Sequence, residues 1–302
     1  MNEKKGIFLI LGTALISGVS IYINQFGVSV INPYIFTGLK NIIAAGLLFL
    51  AIFSFKEWLT LKKLNKKQWL TLIVIGLIGG SIPFLLFFKG LSLSTGAEAS
   101  FIHKTMFVFV AFLAFLFLKE KISKSLILGI SFLVLGNALF LKIGLNSVWD
   151  KGDLLILIAT LFWAGEQIIS KKALSTISPR ILGWGRMFFG FLFIAVFWLI
   201  TGQFQSVAAL NLNQIGWVLI TAVLLFGYVL TWYSGLKYVR VSVAACVLAL
   251  GAPITTLLTL FQGKSLTIFE VGGILLISLG IILVIDIFKK ISYFKNLKVE
   301  RV

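Results

Sequence analysis

The sequence predicts an all-α polytopic membrane protein. Ten transmembrane helices would form two inverted five-helix repeats around a central cavity, with both termini in the cytoplasm. Three observations lead to this prediction: an apolar composition, a one-sided distribution of basic residues and an internal repeat. Of the 302 residues, 59% are hydrophobic and only 12% are charged, whereas soluble domains are about 25% charged. So much apolar surface requires lipid as its solvent, and we expect the protein in the cell inner (cytoplasmic) membrane.

Ten apolar runs are long enough to cross a bilayer, which takes about 20 residues each. The first run is too long for a cleaved signal peptide, so we interpret it as a retained anchor. The connectors between runs are short and leave no room for a soluble domain. The predicted spans one to ten cover residues 6–30, 34–55, 69–88, 96–118, 124–143, 153–171, 181–200, 214–236, 241–261 and 267–288.

Basic residues indicate the orientation of these spans. Of the 27 Lys and Arg residues, 20 fall on the side of the N-terminus and four on the opposite side. Because basic residues favour the cytoplasmic side, both termini are predicted to face the cytoplasm. The same rule accounts for the net charge of +17 without a nucleic-acid partner. The remaining three basic residues, Lys40, Lys104 and Arg186, lie within spans.

The second half of the sequence repeats the first. Lys40 and Arg186 each follow a proline by seven residues and lie 146 positions apart, and Gly136 and Gly280 are 144 positions apart. Each half therefore carries five spans, and an odd number inverts the second copy. Inverted repeats are a recurring architecture of secondary transporters, which open alternately to either side of the membrane. The alternative is a duplication that only built a non-transporting helix bundle.

We place the two five-helix repeats at residues 1–145 and 146–302. Three stretches carry a family resemblance: "GLSLSTGAEASFIHKTMFVFVAFLAFLFLKEKIS", "GLKYVRVSVAACVLALGAPITTLLTLFQGKSLT" and "LFWAGEQIISKKAL". With these stretches the chain resembles the ten-helix, EamA-type branch of the drug/metabolite transporter superfamily.

The resemblance implies a basket of ten helices whose first, third and fourth spans in each half line a central cavity. It also implies transport of small metabolites, with amino acids or related compounds as the leading candidates and export as the direction. A lipid or lipid-linked sugar flippase of the same superfamily is the alternative. Two departures put equivalent gating of the halves in question. Span four lacks the proline that Pro253 supplies in span nine, and it ends in Lys119-Glu120 where span nine ends in Gly-Lys-Ser.

Ionisable residues within spans are costly and are candidates for function. Glu166 and Arg186 fall at a similar depth on consecutive spans, which predicts near neighbours and allows an ion pair. Lys40 has no equivalent acid, because Ser20 stands 146 positions before Glu166. We expect Lys40 near Gln25, with Glu98 as a further neighbour. It either receives a substrate carboxylate or extends its ammonium towards the interface.

His103 and Lys104 are adjacent on span four, about 10 Å below the outer surface. Neighbouring helical residues point about 100° apart, so one can face the cavity while the other faces a helix. His103 is also a candidate for proton coupling, because histidine titrates near neutral pH. In the alternative, Lys104 extends outward and His103 only bonds a neighbouring helix.

Aromatic residues complete the predicted cavity. Tyr228 and Trp232 share a helix face through their i,i+4 spacing, and Trp163 lies on span six. They either contact a substrate or simply pack helices together. The full predicted set is Tyr22, Gln25, Lys40, His103, Lys104, Trp163, Glu166, Arg186, Tyr228 and Trp232.

Neither a catalytic nor a cofactor site is predicted. One Cys and one His exclude a disulfide framework and a Cys/His zinc site, and no phosphate-binding glycine loop is present. We therefore expect no enzyme, no metal and no cofactor, and a concentration gradient as the driving force. The expected partners are a small-molecule metabolite and membrane lipid, and the sequence leaves open a monomer or a homodimer.

Overall fold

A computed structural model describes residues 3–121, 123–140 and 150–285, and the regular elements of these residues are all helical. Nine of their helices are long and apolar enough to cross a membrane, and Lys124–Phe140 is a shorter apolar helix. Spans one to ten are Glu3–Val30, Pro33–Ser54, Lys66–Leu91, Gly96–Leu118, Lys124–Phe140, Lys151–Ala173, Pro179–Thr201, Leu212–Leu236, Val241–Gln262 and Ile268–Ile285.

The ten predicted spans are confirmed, with bounds within three residues wherever the structure describes them. The predicted boundary between residues 145 and 146 lies outside the described residues, as does the basic segment after residue 285 that contributed to the orientation. Two short helices, Trp58–Lys62 and Gln203–Val207, lie in the connectors.

The two five-span halves interleave. Span one packs against span eight, and the equivalent pair, span six and span three, packs in the same way. Spans two and seven pack against each other, as do spans five and ten. In the latter pair the glycines meet: a Cβ on Gly136 would lie 2.9 Å from the Gly273 carbonyl oxygen, and one on Gly129 would lie 2.8 Å from that of Gly280. Only glycine permits this approach.

Span three contains a π-helical segment, Gly76–Ser81, between two α-helical parts. Pro83 contributes to this irregularity because it has no N–H to donate to the carbonyl of residue 79, four positions earlier. The segment also lies directly against span seven, since a Cβ on Gly80 would be 2.0 Å from the Arg186 carbonyl oxygen. In the sequence, Gly79, Gly80 and Pro83 predict a bend or a close helix contact at this point, and the structure confirms it.

Spans four and nine are both interrupted at equivalent points. Span four breaks at Thr105, and span nine breaks at Ala249 and Leu250, 145 positions later. Pro253 accompanies the break in span nine. In span four, the Thr105 hydroxyl donates to the Ile102 carbonyl at 2.7 Å instead. The missing proline therefore does not remove the symmetry of the two breaks.

Candidate functional site

A cavity of about 70 Å³ lies between the two halves. Spans one to four line it from the first half and spans six to eight from the second. Its lining residues are Ser17, Ser20, Ile21, Asn24, Lys40, Phe84, Phe87, Phe88, His103, Met106, Trp163, Glu166, Gln167, Arg186, Leu225, Tyr228 and Trp232.

The lining departs from the one that the family resemblance implies. Within the described part of the chain, span nine contributes no lining residue, whereas spans two and seven contribute Lys40 and Arg186. Span nine is instead packed against its neighbours: the Thr255 hydroxyl lies 2.9 Å from the Gly18 carbonyl oxygen and 3.1 Å from the Ser100 hydroxyl. The expectation for span nine was therefore wrong, because its polar face is used for helix packing.

In the second half, Arg186 and Glu166 are neighbours, as expected, but they are bridged. The Arg186 guanidinium donates from Nη1 to the Tyr233 hydroxyl at 3.3 Å, and that hydroxyl donates to Glu166 Oε1 at 2.6 Å. Arg186 Nε also donates to the Gly79 carbonyl of the π segment at 3.1 Å. The possible ion pair is thus replaced by a chain through Tyr233, and no contact within 4.0 Å joins the two charged groups.

The Glu166 carboxylate keeps one oxygen for the cavity. Oε1 accepts hydrogen bonds from Tyr233 and from the Ser170 hydroxyl. No residue in the described ranges donates to Oε2. Because Glu166 lines the cavity, this oxygen is available to a ligand.

In the first half, Lys40 is held by neutral groups. Its ammonium donates to Asn24 Oδ1 at 2.5 Å, and the Asn24 amide donates to the Ser20 hydroxyl at 3.0 Å. The ammonium also lies over the rings of Phe88 and Phe36, at 4.1 and 4.7 Å from their centroids. With 1% of its surface exposed, Lys40 does not extend to the interface.

Lys40 contacts neither of the neighbours expected for it. Gln25 Oε1 accepts from the Gly96 backbone at 3.1 Å, and the Glu98 carboxylate accepts from the Thr95 backbone at 3.2 Å. Gln25 and Tyr22 are not lining residues, and the Tyr22 ring packs on Phe26 at 5.3 Å.

His103 and Lys104 have different neighbours, as the helical spacing allows, although Lys104 Nζ lies 3.4 Å from His103 Nδ1. The His103 ring lines the cavity, 4.8 Å from the ring of Trp163. Lys104 instead is buried between spans one and nine, where its ammonium donates to the Ser17 hydroxyl at 2.6 Å. Its stem fills space that Gly251 leaves open, with Cε 2.8 Å from where a Cβ would stand. Lys104 is therefore not a lining residue.

Three of the predicted aromatic residues, Trp163, Tyr228 and Trp232, line the cavity. Trp163 Nε1 donates to the Gly79 carbonyl at 2.8 Å, and the rings of Tyr228 and Trp232 stack at 6.4 Å. Two important residues were missed from the sequence, Asn24 and Tyr233. The repeat offset could have identified Asn24. It lies 146 positions before Ser170, whose hydroxyl donates a hydrogen bond to Glu166.

Comparison with known proteins identifies the family. The sequence model of the EamA-like transporter family matches residues 4–142 and again 150–286. The chain belongs to this family. "Uncharacterized transporter YyaM" of Bacillus subtilis (strain 168) is 24% identical, covering 93% of this chain and 94% of its own length. An "Uncharacterized transporter" of Archaeoglobus fulgidus is 27% identical, covering 93% and 99%.

A solved crystal structure shares the fold of this EamA-like chain. It aligns with 96% of this chain and 99% of its own, with a TM-score of 0.72 and 15% sequence identity. The family match, the apolar helices and the similar transporters together show that the protein is a multi-pass membrane transporter.

Proposed function

We propose that the protein is a secondary transporter that moves small metabolites across the cytoplasmic membrane by alternating access between its two halves. Amino acids or related compounds are the leading candidates, and export follows the tendency of the proteins it resembles. The proposal rests on two charged groups that line one cavity. One is the Lys40 ammonium, which has no acidic partner among the described residues. The other is the Glu166 carboxylate, whose Oε2 accepts no hydrogen bond from them.

Lys40 provides the site for a substrate carboxylate. An ammonium has three donors, and Asn24 accepts from one of them at 2.5 Å. In the described part of the chain no carboxylate lies within 4.0 Å of Lys40. A buried charge is strongly stabilised by a charged hydrogen-bond partner, so this position favours a carboxylate ligand.

Glu166 provides the site for a substrate ammonium through its open Oε2. Lys40 and Glu166 belong to opposite halves, so a ligand that touches both links the two parts that must move. Such a ligand favours the closed arrangement by its differential affinity for it.

The cavity walls suit an apolar or aromatic substrate body. Phe84 and Phe87 pack at 5.5 and 5.3 Å from the ring of Trp163.

The driving force in this proposal is a gradient, either of the substrate or of a coupled ion. His103 is the candidate for proton coupling because its ring lies at the cavity wall between Phe87 and Trp163. Transport that responds to an imposed pH gradient, and that loses this response in His103→Gln, supports coupling. A response that is unchanged in His103→Gln contradicts it.

The test is flux in proteoliposomes over a panel of amino acids, with and without a pH gradient. Lys40→Gln and Glu166→Gln should each lower the flux at least about tenfold, as expected for loss of a charged contact. Lys62→Gln and Glu98→Gln are matched controls at exposed positions and should transport normally. Movement of a labelled lipid in place of amino acids would favour the flippase, and no movement of either would favour a non-transporting bundle.

A further inference from the structure

Spans four and nine are joined at the end that lies on the side of the N-terminus. Glu120 Oε1 accepts from the Val241 backbone at 2.8 Å. Glu120 Oε2 accepts from the Ser242 hydroxyl at 2.5 Å and from the Ser242 backbone at 3.3 Å. We call Glu120, Val241 and Ser242 the Glu120 clamp. It joins the first half of the chain to the second at a position outside the cavity.

Local sequence explains why the clamp forms. Arg240, the residue before the helix Val241–Leu248, makes no side-chain cap, so the first backbone N–H groups of that helix need an acceptor. A carboxylate satisfies them well, because its charge also suits the positive end of the helix. Lys119 adopts a left-handed conformation with φ of 52°. It ends span four and turns the chain just before Glu120.

The repeat-related positions on the opposite side form no equivalent clamp, although other hydrogen bonds join the halves there, such as Asn32 Nδ2 to Gln203 Oε1 at 2.9 Å and Ser94 Oγ to Asp153 Oδ1 at 3.1 Å. Ser265 stands 145 positions after Glu120, and Gly96 stands 145 positions before Val241. The Gly96 backbone is bonded by Gln25 of its own half at 3.1 Å. In the part of the chain that the structure describes, no hydrogen bond joins Ser265 to the start of span four.

We propose that Glu120 is a gating residue, and that its clamp holds the two halves together on the side of the N-terminus. The clamp must release for the cavity to open to that side, which is the predicted cytoplasmic side. The inference rests on the alternating access of the proposed function, but it concerns opening on one side and not the substrate.

The chain carries its own reporter of this opening. Cys246 is the single cysteine and is 0% exposed. It lies four residues after Ser242 on the same helix, so the two side chains share a face. Separation of span nine from Glu120 would bring this face, and with it the thiol, into contact with solvent.

The experiment measures the rate at which N-ethylmaleimide modifies Cys246 in the full-length protein in proteoliposomes, without substrate. Glu120→Ala should accelerate modification about tenfold, the change expected for loss of charged hydrogen bonds, and Glu120→Gln should lie between. Glu98→Gln is the matched control. Glu98 also caps a helix start, but within its own half and on the opposite side, so its rate should equal that of the native protein.

Ser242→Ala keeps the test decisive if Glu120→Ala fails to fold, because it removes only the hydroxyl donor. It should accelerate modification in the same direction, by a smaller factor. Native rates in a folded Glu120→Ala, or in Ser242→Ala if the former is unfolded, would overturn the clamp. The assay contains no substrate, so failure of amino-acid flux leaves the clamp standing. Normal flux with unchanged labelling rejects the clamp alone.

Discussion

Lys40 and Arg186 occupy equivalent positions in the two halves of the transporter, but they are neutralised differently. Arg186 reaches the Glu166 carboxylate through the Tyr233 hydroxyl. Lys40 reaches only the neutral amide of Asn24. The difference follows from two positions of the repeat, since Ser20 stands where the second half has Glu166 and Phe88 stands where it has Tyr233.

The comparison shows how duplication can separate a structural cation from a ligand-binding one. Both cations are buried on the second span of a repeat. Arg186 has an acid nearby and belongs to a bonded chain that ties spans three, six, seven and eight. Lys40 has no acid, so its charge remains for a ligand. Both halves therefore bury a cation at this position, but only the second half places a carboxylate near it.

The largest effect is expected where the Arg186 site depends on the π segment. In Gly80→Ala, the new Cβ would meet the Arg186 carbonyl oxygen at 2.0 Å and push span three away from span seven. We expect a loss of stability of about 3 kcal/mol, measured as a lower thermal unfolding midpoint in detergent. Arg186 would lose its bond to the Gly79 carbonyl at the same time.

Gly46→Ala is the control for this variant, because a Cβ at Gly46 meets nothing within 4 Å. Alanine in an open helical position should be neutral or stabilise by up to about 1 kcal/mol. Equal midpoints for the two variants would show that span three does not need the close contact.

Tyr233→Phe should make the second half resemble the first. The substitution removes the bridge, leaving Arg186 Nη1 without its acceptor and Glu166 Oε1 with Ser170 alone. We expect a loss of about 1–3 kcal/mol of stability, as for an unmade buried hydrogen bond, and slower transport. Tyr34→Phe is the control, because the Tyr34 hydroxyl makes no hydrogen bond within the described residues. A normal Tyr233→Phe protein would mean that Arg186 and Glu166 are independent.

The smallest effect is expected from giving Lys40 an acid of its own. Asn24→Asp replaces the amide oxygen Oδ1, which accepts from Lys40 at 2.5 Å, with a carboxylate oxygen. The added charge should compete with the substrate carboxylate and raise KM about tenfold, with little change in stability. Asn65→Asp, at an exposed helix cap where aspartate serves equally well, should leave KM unchanged. An unchanged KM in Asn24→Asp would imply that Lys40 does not bind the substrate.

Hydropathy predicted the spans well because each transmembrane helix needs a long apolar run. The cations and the acid were also found readily, since charges within spans are rare and expensive. Tyr233 and Asn24 were not found. A tyrosine or asparagine in an apolar run is common, and only the packing of several spans decides what it contacts.

The geometry of span three lay beyond the sequence for a related reason. Glycines and Pro83 predicted a bend or a close contact, but the same residues are compatible with a kink, a π segment or simple packing. The choice depends on the backbone of span seven and on the side chains of Trp163 and Arg186, which bond the Gly79 carbonyl. Lys104 shows the same dependence, because its place beside Gly251 requires the crossing of spans four and nine.

The most direct test of the central claim compares one transported amino acid with its carboxamide, which lacks the carboxylate but keeps the ammonium. Flux of both compounds is measured in proteoliposomes for the native protein and for Lys40→Gln. The native protein should prefer the acid by at least about tenfold, and Lys40→Gln should lose that preference while still moving the amide. A full preference for the acid in Lys40→Gln would contradict the assignment of Lys40 as the carboxylate site.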